Sequence, residues 1–126
     1  MKDFRNLTVW KKAHSFTLQV YKTSGSFPRE EMFGLTSQLR RSAASIGANI
    51  SEGCGRSSDA DFARFLQIAF GSACETEYHL VLARDLQMIS PESHANLENE
   101  LVEVKRMLSS LISRVRGGNK KLTAES

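Results

Sequence analysis

Cysteine and proline are both scarce in this chain of 126 residues, which has two of each. Cys54 and Cys74 form no close CxxC pair, so the sequence supports neither a disulfide framework nor a zinc site. We interpret both as reduced thiols, and Cys54, which stands beside glycines near a predicted helix end, as a small buried residue. With so few prolines, long helices can run without interruption.

Long apolar runs are also missing. No segment approaches the roughly 20 apolar residues of a membrane-spanning helix, and the polar start of the chain does not resemble a signal peptide. We therefore expect a cytoplasmic protein that does not contact a membrane. The glycines around Cys54 lack the Lys-Ser/Thr of a P-loop, and no nucleophile elbow is present, so the sequence predicts neither an enzyme nor a cofactor.

Metal chemistry is not expected either. Glu75 and His79 are four residues apart, whereas di-iron bundles use Glu-x-x-His pairs, and this chain has none. For His14 and His94 the sequence indicates solvated or packing roles, because neither is expected to have an acidic partner at ligand spacing.

Helical periodicity dominates the remaining sequence, and no strand-like alternation competes with it. Turn and capping residues divide it into four predicted helices. The first begins near Leu7 or Thr8 and ends at Ser24-Gly25. The second follows Phe27-Pro28, has Glu30 and Glu31 in its first turn and ends near Glu52. The third runs from a cap at Ser58 to about Gln87, and the fourth runs from Ser90-Pro91 to Gly117. Because the joints are short, we predict an all-α, up-down-up-down antiparallel four-helix bundle as one domain over residues 1–118, with a disordered tail over residues 119–126.

The second predicted helix has three distinct sides when its residues are placed at about 100° intervals. The apolar side carries Leu35, Leu39, Ala43, Ile46 and Ile50, the small-residue side carries Ala44, Gly47, Ala48 and Ser51, and the polar side carries Gln38, Arg41, Ser45, Asn49 and Glu52. A helix with three such sides is expected to contact protein in more than one direction. We therefore expect an assembly as well as a bundle.

The polar side, together with Glu75 of the third helix, allows two interpretations. One is a ligand or metal pocket inside the bundle. The other is a buried or intersubunit network in which Arg41 pairs with Glu52 or Glu75, and we favour it because buried charges require such partners.

Charge is segregated along the chain. Residues 1–56 contain nine basic and four acidic residues, residues 57–104 contain two and nine, and residues 105–126 contain six and one. Basic regions can bind phosphates, or oppositely charged faces can meet within or between subunits, and the sequence slightly favours the second explanation. If nucleic acid is bound, the candidate contacts are Lys11, Lys12, Arg40, Arg41, Arg56, Arg114, Arg116, Lys120 and Lys121.

Several segments together resemble a known family, the four-helix bundle proteins encoded within the 23S ribosomal RNA intervening sequences of some bacteria. The similar segments are LTVWKKAH at residues 7–14, Phe27-Pro28 with Glu31, GLTSQLRR at residues 34–41, Ser45-Ile46, Asn49-Ile50, Glu52-Gly53, Arg64-Phe65-Leu66, Ala69, Gly71-Ser72 and Glu75. The chain departs from the family pattern at Ser42, Gly47 and Ser51.

The resemblance implies a ring-like homo-oligomer, a pentamer, with no established enzymatic activity. It also implies a distant similarity to accessory proteins of diversity-generating retroelements, which bind nucleic acid and a reverse transcriptase. Two hypotheses follow. The first is a self-assembling, non-enzymatic scaffold, and the alternative is an accessory protein that binds RNA, or a nucleic-acid-processing protein, through basic surface residues.

Overall fold

Four α-helices make up most of the computed structural model, which describes residues 2–117. They are α1 (Thr8–Ser24), α2 (Leu35–Cys54), α3 (Asp59–Asp85) and α4 (Pro91–Arg116), with short 3₁₀ helices at Phe4–Asn6 and Arg29–Glu31. Each α-helix packs against its neighbours in the chain, and α1 also packs against α4, which closes the antiparallel four-helix bundle predicted from the sequence. Within residues 2–117, no helix combines the length and hydropathy needed to cross a membrane. The predicted tail, residues 119–126, lies outside the described residues.

The core is built from apolar stripes at helical spacing, among them the stripe predicted for the second helix. On α2 the stripe consists of Leu35, Leu39, Ala43, Ile46 and Ile50. On α4 it consists of Leu97, Leu101, Val104, Leu108, Leu111 and Val115, and all of these residues are buried. Phe16 of α1 and Phe62 of α3 are the largest side chains that are fully enclosed. The hydrophobic burial that holds the bundle together therefore follows directly from residue spacing.

Side-chain caps fix the starts of α3 and α4. The Ser58 hydroxyl accepts a 3.1 Å hydrogen bond from the Asp61 backbone N–H, and the Ser90 hydroxyl accepts one of 3.1 Å from Ser93. Helix α3 ends at Asp85, slightly before the predicted end, because Gln87 adopts a positive φ of 61°. The chain leaves the helical path there and turns into α4.

The predicted start of the second helix was wrong. Helix α2 begins at Leu35, and the residues after Pro28 form the 3₁₀ helix Arg29–Glu31 instead. The non-helical backbone of Gly34, with φ −109° and ψ −114°, separates the two elements. Glu31 nevertheless reaches the positive end of α2, because its Oε1 accepts a 3.2 Å hydrogen bond from the Leu35 N–H.

Candidate interaction surfaces of the bundle

The polar side of α2 lies against α3 and joins it through hydroxyl groups. Ser45 Oγ lies 2.9 Å from Ser72 Oγ, and Thr76 Oγ1 lies 2.9 Å from Ser42 Oγ. Asn49 Nδ2 donates to the carbonyl oxygen and to the Oγ of Ser45, at 2.8 and 2.9 Å. We call these five residues the hydroxyl ladder, and it satisfies polar groups that α2 turns toward its neighbour.

The predicted pairing of Arg41 with Glu52 or Glu75 is not formed within the described chain. Glu52 Oε2 forms a 2.8 Å ion pair with Arg56 Nη2, and Glu75 Oε2 lies 3.1 Å from His79 Nε2. Both carboxylates thus use a partner four residues further along their own helix, which is the nearest position on a helical surface. Arg41 itself is exposed, so it does not require the buried partner that the sequence argument assumed.

A cleft of about 390 Å³ opens above the hydroxyl ladder, and four of the six predicted network residues lie on it. Its lining includes Phe33, Gln38, Arg41, Ser45, Ser72 and Glu75. Phe33 stands at this cleft with 96% of its surface exposed, which the sequence did not indicate. The cleft therefore combines hydrogen-bonding groups with an uncovered aromatic ring.

The small-residue side of α2 is only partly covered within the chain. A Cβ added to Gly47 would lie 3.3 Å from Trp10 Nε1, so the indole of α1 already occupies the space beside that glycine. Trp10 in turn stacks on His14, with ring centroids 4.8 Å apart. Ala44 and Ala48 remain exposed and are available for contact with another chain.

Two candidate nucleic-acid contacts are engaged in intramolecular contacts. Arg40 Nε donates to Ser24 Oγ at 2.8 Å, Arg40 Nη2 donates to the Tyr21 carbonyl oxygen at 3.3 Å, and the guanidinium lies 4.9 Å from the Tyr21 ring centroid. Arg40 therefore joins α2 to the C-terminal end of α1, where carbonyl groups favour a cation. Arg56 pairs with Glu52 and covers the Phe65 ring at 4.5 Å.

Apart from Arg41, which is exposed on α2, the remaining described candidates cluster on α1 and α4. Lys11, Lys12 and Arg116 are exposed, and Arg114 is partly buried. Lys12 and Arg114 line one groove between these two helices, together with Arg106, which the sequence argument had not selected. In the sequence, Arg106 was marked only by its place in the basic segment of residues 105–126. Lys120 and Lys121 lie outside the described residues.

Two histidines are buried, and each has a glutamate four residues away on its own helix. Only 5% of the surface of His79 and 4% of that of His94 is exposed to solvent. The prediction that His94 has no acidic partner was wrong, because Glu98 Oε2 lies 3.9 Å from its Nε2. Among residues 2–117, no three His, Cys, Asp or Glu side chains are grouped closely enough to hold a metal ion.

The two cysteines differ in their surroundings. Cys54 is buried and Cys74 is exposed. Burial raises the pKa of the Cys54 thiol to about 11, because the thiolate would lose solvation. Cys54 is thus a protonated packing residue at neutral pH, in agreement with the interpretation from sequence.

Comparisons with known proteins agree with this architecture. The model of the 23S rRNA-intervening sequence protein family matches residues 5–110. A crystal structure of a protein of unknown function from the S23 ribosomal protein family of Bacteroides thetaiotaomicron VPI-5482 superposes with a TM-score of 0.76 and 34% identity, covering 83% of this chain and 98% of that chain. No curated protein matches significantly. Since the family match covers α1 to α3 and most of α4, the chain belongs to the 23S rRNA-intervening sequence protein family.

Proposed function

We propose that this protein is a non-enzymatic bundle that assembles with copies of itself into a ring-like homo-oligomer, with five subunits as the family resemblance implies. The observation that carries the proposal is the 96% exposure of Phe33. An uncovered phenylalanine is costly to hydrate, and it stands beside a polar cleft that could receive a neighbouring chain. The cytoplasmic location expected from the sequence remains part of this proposal.

The surface next to Phe33 also carries exposed apolar and small side chains. The outward sides of α2 and α3 carry Ala44, Ala48, Ile68, Gly71 and Tyr78, which we call the α2–α3 face. Ile68 and Tyr78 are 42% and 61% exposed. Nothing lies within 4 Å of a Cβ added to Gly71, so no contact within the described chain requires glycine there. Close approach of a second chain would explain a glycine that costs α3 about 0.5–1 kcal/mol of helix stability relative to alanine.

A ring requires two different complementary faces on each subunit, because a surface that pairs with itself closes as a dimer. Helix α1 supplies a second apolar surface, with Leu18 and Tyr21 exposed by 58% and 46%. We place the α2–α3 face of one copy against this side of α1 in the next copy. Burying a large apolar side chain contributes about 1.5–3 kcal/mol, so a few such side chains can hold an interface.

The test is the mass of the purified protein by light scattering. Ala48→Leu should disrupt close packing on the α2–α3 face, and Phe33→Ser should remove its most exposed apolar side chain, so each should shift the mass toward smaller species. The matched control is Val102→Ser, because Val102 is 49% exposed on α4, outside the proposed interface. A wild-type monomer, or a mass that neither Ala48→Leu nor Phe33→Ser changes, would contradict the proposal.

The second candidate function, RNA binding, is favoured by the exposed cations Lys11, Lys12 and Arg116. These three make no ion pair with any residue between 2 and 117 and lie on adjacent helices. Such a surface would contact phosphates without sequence preference, and a ring would repeat it. Binding to structured RNA should weaken steeply from low to moderate salt and weaken further in Lys11→Glu and Arg116→Glu. Arg40→Glu is less informative, because it also breaks the contact between α1 and α2.

Absence of RNA retention at low salt would exclude this candidate. Equal retention by the wild type and both charge-reversal variants would place any binding elsewhere.

A further inference from the structure

A groove of about 430 Å³ lies between α1 and α4, away from the α2–α3 face. Its lining includes Thr8, Lys12, Glu103, Arg106, Ser110 and Arg114. Three of these side chains are cationic and one is anionic. Unlike the hydroxyl ladder, this seam therefore presents an excess of positive charge around an open space.

The three cations are not equally neutralised. Arg106 binds Glu103 through two hydrogen bonds, of 2.6 and 3.2 Å. Arg106, together with Lys12 from the opposite helix, lowers the pKa of the Glu103 carboxyl, which shows that the charges of α1 and α4 act on each other. One carboxylate offsets one of the three cations and leaves capacity for a further anion.

Arg114 lines the groove and has one donor without a partner. Its Nε is buried and has no hydrogen-bond partner among the described residues. A buried donor without an acceptor costs free energy, and an oxygen ligand in the groove could supply that acceptor. Guanidinium groups suit phosphate oxygens in particular, since their N–H groups are arranged as a planar fork.

The first turn of α1 adds to the positive character of the same groove. Thr8 is the first residue of α1, and that turn has neither a side-chain cap nor an acidic residue. Its backbone N–H groups carry the positive end of the helix dipole. The hydroxyls of Thr8 and Ser110 are further donors on opposite walls of the groove.

We propose that the α1–α4 groove is a binding site for a phosphate group, held by Lys12, Arg106 and Arg114 with help from the hydroxyls of Thr8 and Ser110. The phosphate lies toward Thr8 and Arg114, because Glu100 and Glu103 line a smaller neighbouring cleft of about 130 Å³ on the other side of Lys12. The proposal does not depend on self-assembly. It concerns a defined site, unlike the diffuse surface considered for RNA.

The experiment is an NMR titration of the full-length protein with inorganic phosphate, at constant pH and with ionic strength kept constant by chloride. The signals of Thr8 and Ser110 should shift and saturate. Arg114→Gln should weaken binding about tenfold, which corresponds to the loss of a charge-assisted hydrogen bond. Lys12→Gln provides a second variant that should fold normally, because Lys12 is exposed. The matched control is Arg84→Gln, an exposed arginine of α3 outside the groove, which should leave the affinity unchanged.

The same titration with a nucleoside monophosphate and with a short single-stranded RNA identifies the source of the phosphate. Saturable binding of any of the three probes that Arg114→Gln and Lys12→Gln weaken, and Arg84→Gln does not, supports the site. No saturable response to any probe at millimolar concentration would overturn it. RNA binding that Arg114→Gln and Arg116→Gln weaken equally would also overturn it, because a diffuse basic surface would then suffice.

Discussion

The part of the α2–α3 seam around Gly53 and the α1–α4 seam use opposite solutions to the same packing problem. At the first, small residues allow the helices to approach, so that a Cβ added to Gly53 would lie 3.0 Å from Phe65 Cβ and 3.1 Å from Phe62 Cδ1. At the second, long charged side chains such as Lys12 and Arg106 surround a groove of about 430 Å³. One bundle can therefore pack two helices tightly at one point and leave open space elsewhere, in this groove and in the cleft of about 390 Å³ beside Ser45.

The largest expected effect tests how tightly the first seam is closed. Gly53→Ala should destabilise the protein by about 1–3 kcal/mol, because its methyl group would collide with two phenylalanines of α3. Urea unfolding followed by circular dichroism measures the change, with the mass of each variant checked so that assembly does not confuse the comparison.

Gly71→Ala is the control for this prediction. The new methyl group meets nothing within 4 Å, so helix propensity should stabilise the subunit by about 0.5–1 kcal/mol. If Gly53→Ala were neutral, the two helices would not be in tight contact at this point, and the contrast between the seams would lose its main support.

A smaller effect is expected from the hydroxyl ladder. Thr76 is fully buried, and its Oγ1 lies 2.9 Å from Ser42 Oγ and 2.7 Å from the Ser72 carbonyl oxygen. Thr76→Val keeps the shape but removes this hydrogen bonding, which should cost about 1 kcal/mol. Thr8→Val, in the α1–α4 groove, should change stability by less than about 0.5 kcal/mol, because Thr8 is only partly buried there.

A double-mutant cycle of Thr76→Val with Ser42→Ala then measures the coupling across the α2–α3 seam. The two effects should not add, because both variants remove the same hydrogen bond. Strict additivity, or an equal loss in Thr8→Val, would show that the ladder contributes nothing particular to this seam.

The sequence was sufficient for most of the fold, because periodicity and capping are local properties. The core stripe of α2 and the caps at Ser58 and Ser90 follow from neighbouring residues. The start of α2 did not, because glutamates after a proline are also compatible with the 3₁₀ turn that Arg29–Glu31 forms. Local signals here were ambiguous between two helix types.

The candidate surfaces were harder to predict, because they depend on residues that are distant in sequence. The contact of Arg40 with the end of α1 and the meeting of Lys12 with Arg106 both require the relative positions of two helices. The exposure of Phe33 depends on how the chain turns before α2. Helical spacing grouped Gln38, Arg41 and Ser45 on one side of α2, where they line the cleft. It could not supply the partner of Arg41, because Glu52 and Glu75 each pair with a residue of their own helix.

The smallest expected effect concerns Glu103, at the edge of the α1–α4 groove. A hydrogen bond from Arg106, the charge of Arg106 and that of Lys12 lower the pKa of its carboxyl. A carboxyl whose pKa is lowered in the folded state stabilises that state above its ordinary pKa, and the contribution disappears as the pH falls through the lowered value. Glu103→Gln should therefore lower the melting temperature slightly at neutral pH and low salt, and this effect should fade as the pH falls below the ordinary pKa of a glutamate and through the lowered one.

Melting curves from neutral to acid pH, at low and high salt, measure this difference, and Arg106→Gln should reproduce it with no further loss in the double variant. Salt of about 1 M should also remove it, because the pair is on the surface and is screened. A large loss that persisted at acid pH or in high salt would mean that Glu103 holds α1 and α4 together by packing. The groove would then depend on packing as the seam around Gly53 does, and the comparison between the two would fail.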